Sequence, residues 1–369
     1  MKKESSDLKV QKKKIGAASK VSDNVNCEEI VGEAKSASKK KKDVVERIPS
    51  GSTLLDLVFG GGYPVGKIVN IVGDNSSGKT LFSCEAIAHA RKKFGKKLKW
   101  RYNDAEAGFS FNTTDMYGFE IVKDSDKPSP TIEEFDADIN RELDSLKSDE
   151  YLLYVLDSLD SLSSREELKH RKARQKAEEA GEESKGTYGM NKQKYLSEFF
   201  RVTSNRIKEM NCLLIIISQV RTNISPFPGP KYTRSGGKAL DFYASIIVWL
   251  AEVEKKKKLD RATGITVKAR TSKNKVGLPF RECFVDVVFD YGIDDITSCL
   301  CFLNNLRTPQ GKMSDKRALV EFNGQKLTLQ KMIEYVESNN LENELAESAE
   351  KMWFELEEKI SSNERKKRF

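Results

Sequence analysis

The apolar run Lys67-Ile68-Val69-Asn70-Ile71-Val72, followed at once by Gly73-Asp74-Asn75-Ser76-Ser77-Gly78-Lys79-Thr80, constrains this chain more than any other stretch. It satisfies the phosphate-loop pattern G-x-x-x-x-G-K-[ST] at every required position, in the strand-to-helix setting that the motif needs. Each residue has a physical reason. Gly73 and Gly78 let the backbone turn back with its N–H groups pointing inward, a concave nest for phosphate oxygens. Lys79 brings a point charge to the β- and γ-phosphates of a nucleotide, and the Thr80 hydroxyl suits Mg²⁺. From Leu81 to about Phe94 the pattern is helical and stops at Gly95. The loop therefore opens a helix whose N-terminus favours an anion. The nucleotide candidates are Gly73, Asp74, Asn75, Ser76, Ser77, Gly78, Lys79, Thr80 and Leu81, with ATP and Mg²⁺ as the implied ligands.

Around this loop the chain alternates strand and helix. Lys97–Tyr102, Tyr151–Leu156 and Leu213–Ile217 read as strands, with helices over about 131–147 and 192–210. Strands apolar on both faces and separated by helices predict an α/β fold with a mostly parallel central sheet covered on both sides. Ligands of such sheets sit beyond the carboxyl ends of the strands. Three strands end in polar residues: Asp104 and Glu106, Asp157, and Gln219. Asp157 is the candidate that orients the metal or its water shell, together with Thr80. Glu106 is the candidate base for an attacking water, and Gln219 a sensor of the γ-phosphate. Spacing alone leaves Glu106 and Gln219 equally readable as ordinary polar strand ends. Ile246–Leu250, Gly264–Ala269 and Cys283–Phe289 are expected to extend the sheet antiparallel.

The expected organisation is a basic, unstructured arm over 1–43, an ATPase core over 44–294 and a small, mostly helical module over 295–369 with a hairpin near Val320–Lys326. The arm holds Lys39-Lys40-Lys41-Lys42 and the chain closes with Arg365-Lys366-Lys367-Arg368, so much of the net charge of +8 belongs to tails. Six cysteines form no C-x-x-C pair, which points to reduced thiols and a cytoplasmic setting. With His89 and His170 the sole histidines, a histidine-built metal site or triad is not expected. No apolar stretch approaches the length of a membrane span, so no membrane partner is expected.

Several motifs in order give the chain a family likeness. Ile48 to Thr80, Asp104-Ala105-Glu106-Ala107, Leu156-Asp157-Ser158, Gln219-Val220-Arg221, Ser235-Gly236-Gly237-Lys238-Ala239-Leu240 and Lys273-Asn274-Lys275 resemble the bacterial RecA recombinase family over roughly 44–295. The resemblance implies that Lys79, Glu106 and Gln219 are catalytic, that Gln219 couples ATP to a second DNA-binding loop, and that Lys273 and Lys275 reach the ATP of a neighbouring subunit. It also implies a head-to-tail helical filament on single-stranded DNA that pairs with homologous duplex DNA. DNA contacts fall on Met190, Lys194 and Arg201 near the first loop, and on Arg221, Phe227, Arg234, Ser235, Gly236 and Gly237 at the second. Cations that track a phosphate backbone beside rings that stack on bases suit such a role in the second loop. Departures are visible. The segment after Asp157 is long and dense in charge over 165–185, Gly189-Met190 stands where the family has the reverse order, and Ala107–Phe111 is atypical. The 165–185 run is expected to form a solvated helix. A ring-shaped DNA motor and a non-hydrolysing recombination mediator are the alternative readings.

Overall fold

The computed structural model describes residues 45–123, 126–179, 190–222, 232–315 and 317–360, with the side chains of 175–179, 190–191 and 222 excepted. The 1–43 arm and the basic C-terminal tail lie outside the described residues. In chain order the elements are β1 (Arg47–Ile48), α1 (Thr53–Phe59), β2 (Tyr63–Pro64), β3 (Ile68–Gly73), α2 (Lys79–Phe94), β4 (Leu98–Asp104), α3 (Thr113–Tyr117), α4 (Ile132–Asp144), β5 (Tyr151–Asp157), α5 (Arg165–Glu179), α6 (Met190–Glu209), β6 (Cys212–Thr222), β7 (Tyr232–Arg234), α7 (Gly237–Tyr243), β8 (Ile246–Lys258), β9 (Arg261–Asn274), β10 (Glu282–Val288), β11 (Gly292–Asp294), α8 (Asp295–Leu303), β12 (Leu319–Phe322), β13 (Gln325–Thr328), α9 (Leu329–Ser338) and α10 (Glu342–Ile360).

The main sheet runs β11-β10-β9-β8-β3-β6-β5-β4, with β7 paired to the end of β6. The five strands β8, β3, β6, β5 and β4 are mutually parallel. The sequence had Ile246–Leu250 extending the sheet antiparallel. Instead β8 lies parallel to β3, with Val69 opposite Ile246, and the antiparallel extension begins one strand later at β9. The reason is α7. It returns the chain from beyond the exit of β6 to the entry side of the sheet, so β8, across β3 from β6, enters in the same direction as both.

Alternation along the central strands fills a core on each face of the sheet. Val69 and Ile71 of β3 join Leu213, Ile215 and Ile217 of β6 on one face. Ile68 and Val72 join Leu214 and Ile216 on the other. Leu213 to Ile217 are all fully buried, and each such side chain contributes about 1.5–3 kcal/mol relative to exposure. That makes β6 the centre of the fold and fixes the height of Gln219 at its end. Terminal helices α8, α9 and α10 add Leu300, Met332, Val336 and Leu345 to the first of these cores. Asp295 at the start of α8 accepts hydrogen bonds from the Thr53 amide (2.8 Å) and hydroxyl (2.6 Å), tying that region to α1. The charge-dense run is helical over Arg165–Glu179 as α5, with positions 169–173 exposed, and its remainder, 180–185, lies outside the described residues.

Candidate functional site

Parallel register brings the polar strand ends level. Gly73 pairs across to Gln219 and Asp104 to Asp157, so four strand ends meet at one edge of the sheet. The phosphate loop closes tightly there. Gly78 has φ +85, and a Cβ on Gly73 would come within 2.3 Å of Ser77 Oγ and 2.9 Å of the Leu250 carbonyl; neither position accepts a side chain without displacing its neighbours. Ser77 Oγ donates to the Asp74 carbonyl at 2.8 Å, and Lys79 Nζ folds back onto the same oxygen at 2.7 Å. Burial lowers the pKa of Lys79, while Asp157, Glu106, Asp74 and Asp160 oppose that shift. The ammonium thus stands among carboxylates in a partly desolvated place, the setting in which an incoming phosphate gains most from it.

Thr80 Oγ1 donates to Asp157 Oδ2 at 2.9 Å, and Tyr102 OH to the same oxygen at 2.6 Å. Burial raises the pKa of Asp157. A hydroxyl and a buried carboxylate in contact give the hard oxygen donors that Mg²⁺ takes, in a number that leaves room for phosphate oxygens and water. The residues fit the ion. Glu106 sits on the turn beyond β4, its amide donating to the Asp157 carbonyl at 3.2 Å. Its carboxylate accepts from Gln219 Nε2 at 2.9 Å and from Ser158 Oγ. The two residues that spacing left ambiguous are therefore in direct contact.

Beside the loop lies a cavity of about 400 Å³, lined by Gly78, Lys79 and Thr80 on one side and by Phe111, Ile265, Val287 and Phe289 on the other. The atypical stretch after Glu106 supplies one wall. Asp104 shapes that stretch by accepting from the Gly108 and Phe109 amides at 3.3 and 2.9 Å. Lys273 and Lys275 lie elsewhere. Both Nζ atoms donate to the Phe242 carbonyl at 3.0 Å, and Lys273 also to that of Asp241. They cap the C-terminal end of α7, where free carbonyls favour cations. Desolvation first, and the neighbouring Lys275 second, bring the pKa of Lys273 down to about 8.

The RecA N-terminal domain pattern matches residues 23–294, almost three quarters of the chain. This chain belongs to the RecA family. Among curated relatives, Protein RecA of Synechococcus sp. (strain CC9902) is 31% identical over 256 residues, covering 69% of this chain and 63% of that protein. Protein RecA of Rippkaea orientalis is 29% identical over 302 residues, 80% of this chain and 79% of that protein. The mitochondrial DNA repair protein recA homolog of Dictyostelium discoideum is 31% identical over 255 residues, 68% of this chain and 52% of that protein. The chain spans less than two thirds of the length of the Synechococcus and Dictyostelium proteins.

In this RecA-family chain the DNA candidates are dispersed in their accessibility. The Arg221 side chain is 60% exposed yet forms a two-pronged ion pair with Asp160. Arg234 is turned inward, its side chain 7% exposed and paired with Asp241, and burial lowers its pKa. Lys194 and Arg201 are exposed on α6. Gly236, at φ +93, precedes α7, and a Cβ there would lie 2.7 Å from Leu240 Cδ2; Gly237 opens that helix. Phe227 and the Met190 side chain lie outside the described residues. Sequence reasoning missed Tyr102, Ser158 and Asp160. Ser158 was legible as the neighbour of Asp157. Tyr102 reads as one more apolar residue of an alternating strand, and nothing in its local sequence distinguishes Asp160.

Proposed function

We propose that this RecA-family protein is an ATP-dependent DNA strand-exchange protein that assembles head to tail on single-stranded DNA and pairs it with homologous duplex. One observation carries the reading. Glu106, the carboxylate to which this reading assigns the activation of water, is hydrogen-bonded to Gln219, and the strand holding Gln219 continues as Val220–Thr222, paired with Tyr232–Arg234. Nucleotide chemistry and the base of a cation-bearing loop thus share one strand.

In this scheme Lys79 leaves the Asp74 carbonyl for the β- and γ-phosphates, and the loop amides hold the remaining phosphate oxygens. The base rests in the apolar cavity against Phe111 and Phe289. Mg²⁺, when bound through Thr80 with Asp157 orienting its water shell, supplies charge neutralisation at the β- and γ-oxygens. Glu106 orients a water and accepts its proton as the water oxygen bonds the γ-phosphorus and the bond to the bridging oxygen of ADP breaks. Gln219 releases or holds Glu106 according to whether the γ-phosphate is present. A head-to-tail interface that does not close on itself generates an open helix. Backbone contacts suffice for DNA because base pairing between strands reads the homology.

Electron microscopy with single-stranded DNA and a non-hydrolysable ATP analogue tests this directly, alongside ATP hydrolysis with and without that DNA. Open helical filaments and DNA-stimulated hydrolysis are expected. Closed rings would place the protein among DNA motors, and DNA binding without hydrolysis would make it a mediator.

A further inference from the structure

Asp160 lies three residues beyond Asp157, on the turn that leaves β5, and the scheme above gives it no part. Its side chain is 7% exposed. Its carboxylate nonetheless collects four hydrogen bonds. Oδ2 accepts from the Gln219 amide at 2.8 Å and from Ser235 Oγ at 2.8 Å. Oδ1 accepts from Arg221 Nε at 3.1 Å and Nη2 at 2.9 Å. The turn that presents it is itself pinned: the Leu159 amide donates to the Ile217 carbonyl at 3.0 Å, and Lys192 Nζ to the Leu159 and Leu162 carbonyls at 3.1 and 2.5 Å.

One nearly buried carboxylate therefore joins three stretches that are far apart in sequence. These are the exit of the Asp157 strand, the exit of the Gln219 strand and the residue that follows β7. The last two are the stems of the Arg221–Arg234 loop, paired through Val220 with Arg234 and Thr222 with Tyr232. A buried carboxylate is costly unless its oxygens are satisfied, so losing any donor strains the others. Arg221 is the donor that solvent and a polyanion can reach. Its planar fork fits a phosphate as well as it fits a carboxylate.

We propose that Asp160 is a positioning residue that couples the nucleotide site to the DNA loop. It sets the Gln219 backbone, so that the side-chain amide of Gln219 reaches Glu106, and it holds Arg221 in reserve. When a DNA phosphate takes Arg221, Asp160 keeps the Gln219 amide and Ser235 alone, and the end of β6 readjusts around it. DNA occupancy is thereby transmitted to the residue that touches Glu106. This inference rests on the DNA-dependent ATPase reading of the preceding subsection.

The test uses the full chain and the salt dependence of binding to single-stranded oligonucleotide, with the ratio of DNA-stimulated to unstimulated kcat as a second readout. Asp160→Asn retains an acceptor for the Gln219 amide but no longer neutralises Arg221. It is expected to tighten oligonucleotide binding several-fold at fixed salt while the slope of log K against log salt, which counts phosphate contacts, stays parental, and to cut the stimulation ratio several-fold. Adding Arg221→Ala should cancel that gain in affinity. Arg221→Ala alone, which removes an exposed side chain, should flatten the parental slope by about 0.7. A parental chain that neither binds the oligonucleotide nor hydrolyses ATP faster with it defeats the function proposed above, and this inference with it. A parental chain that does both, with parental affinity and stimulation in Asp160→Asn, or with an unaltered slope in Arg221→Ala should Asp160→Asn not fold, defeats the coupling role alone.

Discussion

Lys79 and the pair Lys273/Lys275 carry the same ammonium group in opposite circumstances. Lys79 rests on a backbone carbonyl of its own loop with four carboxylates acting on it. Lys273 and Lys275 rest on carbonyls at the end of α7, and each is a like-charged neighbour of the other. The first arrangement is contained within one chain. The second gathers two positive charges at one helix end, where a further anion would gain from both. The bland explanation is that the two cations only cap the free carbonyls of α7; they guard no edge, because β9 lies between β8 and β10. What distinguishes the two explanations is whether the anion comes from a neighbouring subunit.

The comparison is most sharply broken at Lys79. Lys79→Ala removes the cation that offsets the β- and γ-phosphates, and charge-assisted contacts of this type are worth about 1.5–3 kcal/mol. Nucleotide affinity should fall by up to about 10²-fold, and nucleotide-dependent DNA binding should disappear. Normal DNA-stimulated hydrolysis in that variant would reject the assigned site. Glu106→Gln probes the same side differently: nucleotide binding and assembly should persist while hydrolysis slows by about 10²-fold or more. Single-turnover rates at saturating ATP decide the matter, and a parental rate would remove Glu106 from the chemistry.

On the other side, Lys273→Ala with Lys275→Ala should leave folding and ATP binding intact and reduce DNA-stimulated hydrolysis by about tenfold or more, the scale of losing preorganised cations at a reacting phosphate. Mixing this variant with Lys79→Ala should restore part of the activity, because some interfaces then pair an intact phosphate loop with intact lysines. Strand exchange at the parental rate in the double-lysine variant would leave the helix-capping explanation standing. The smallest effect concerns pH. The pKa of Lys273 is lowered to about 8, so its positive charge is full below that pH and is lost as pH rises through it. If the ammonium is needed to join subunits, the assembly rate should decline above about pH 8. Lys273→Arg, whose guanidinium stays charged, should remove that alkaline decline. An identical pH profile in light scattering would show that Lys273 takes no part in assembly.

The phosphate loop was legible because its chemistry is written in eight consecutive residues, Gly73 to Thr80, whose backbone demands are local. The parallel character of the central sheet was legible for a similar reason: doubly apolar strands separated by helices have few other ways to bury both faces. Periodicity also gave most helices and the terminal hairpin to within a few residues. It did not give the direction of β8, which depends on a seven-residue helix, α7, crossing between strands.

What the sequence alone determined was therefore the set of polar strand ends and the sheet edge to which they belong. Tertiary structure decided which of them touch. Glu106 meets Gln219 and Ser158 across separations of 113 and 52 residues, and Asp160 meets Arg221 and Ser235 across 61 and 75. Strand register and side-chain packing set those contacts, and a carboxylate that gains its donors from two other segments leaves no periodic or spacing signal in its own. The same holds for Arg234. It reads as a free loop cation along the chain, but folding covers its side chain and pairs it with the exposed carboxylate of Asp241, because a guanidinium with few atoms in water needs a counter-charge.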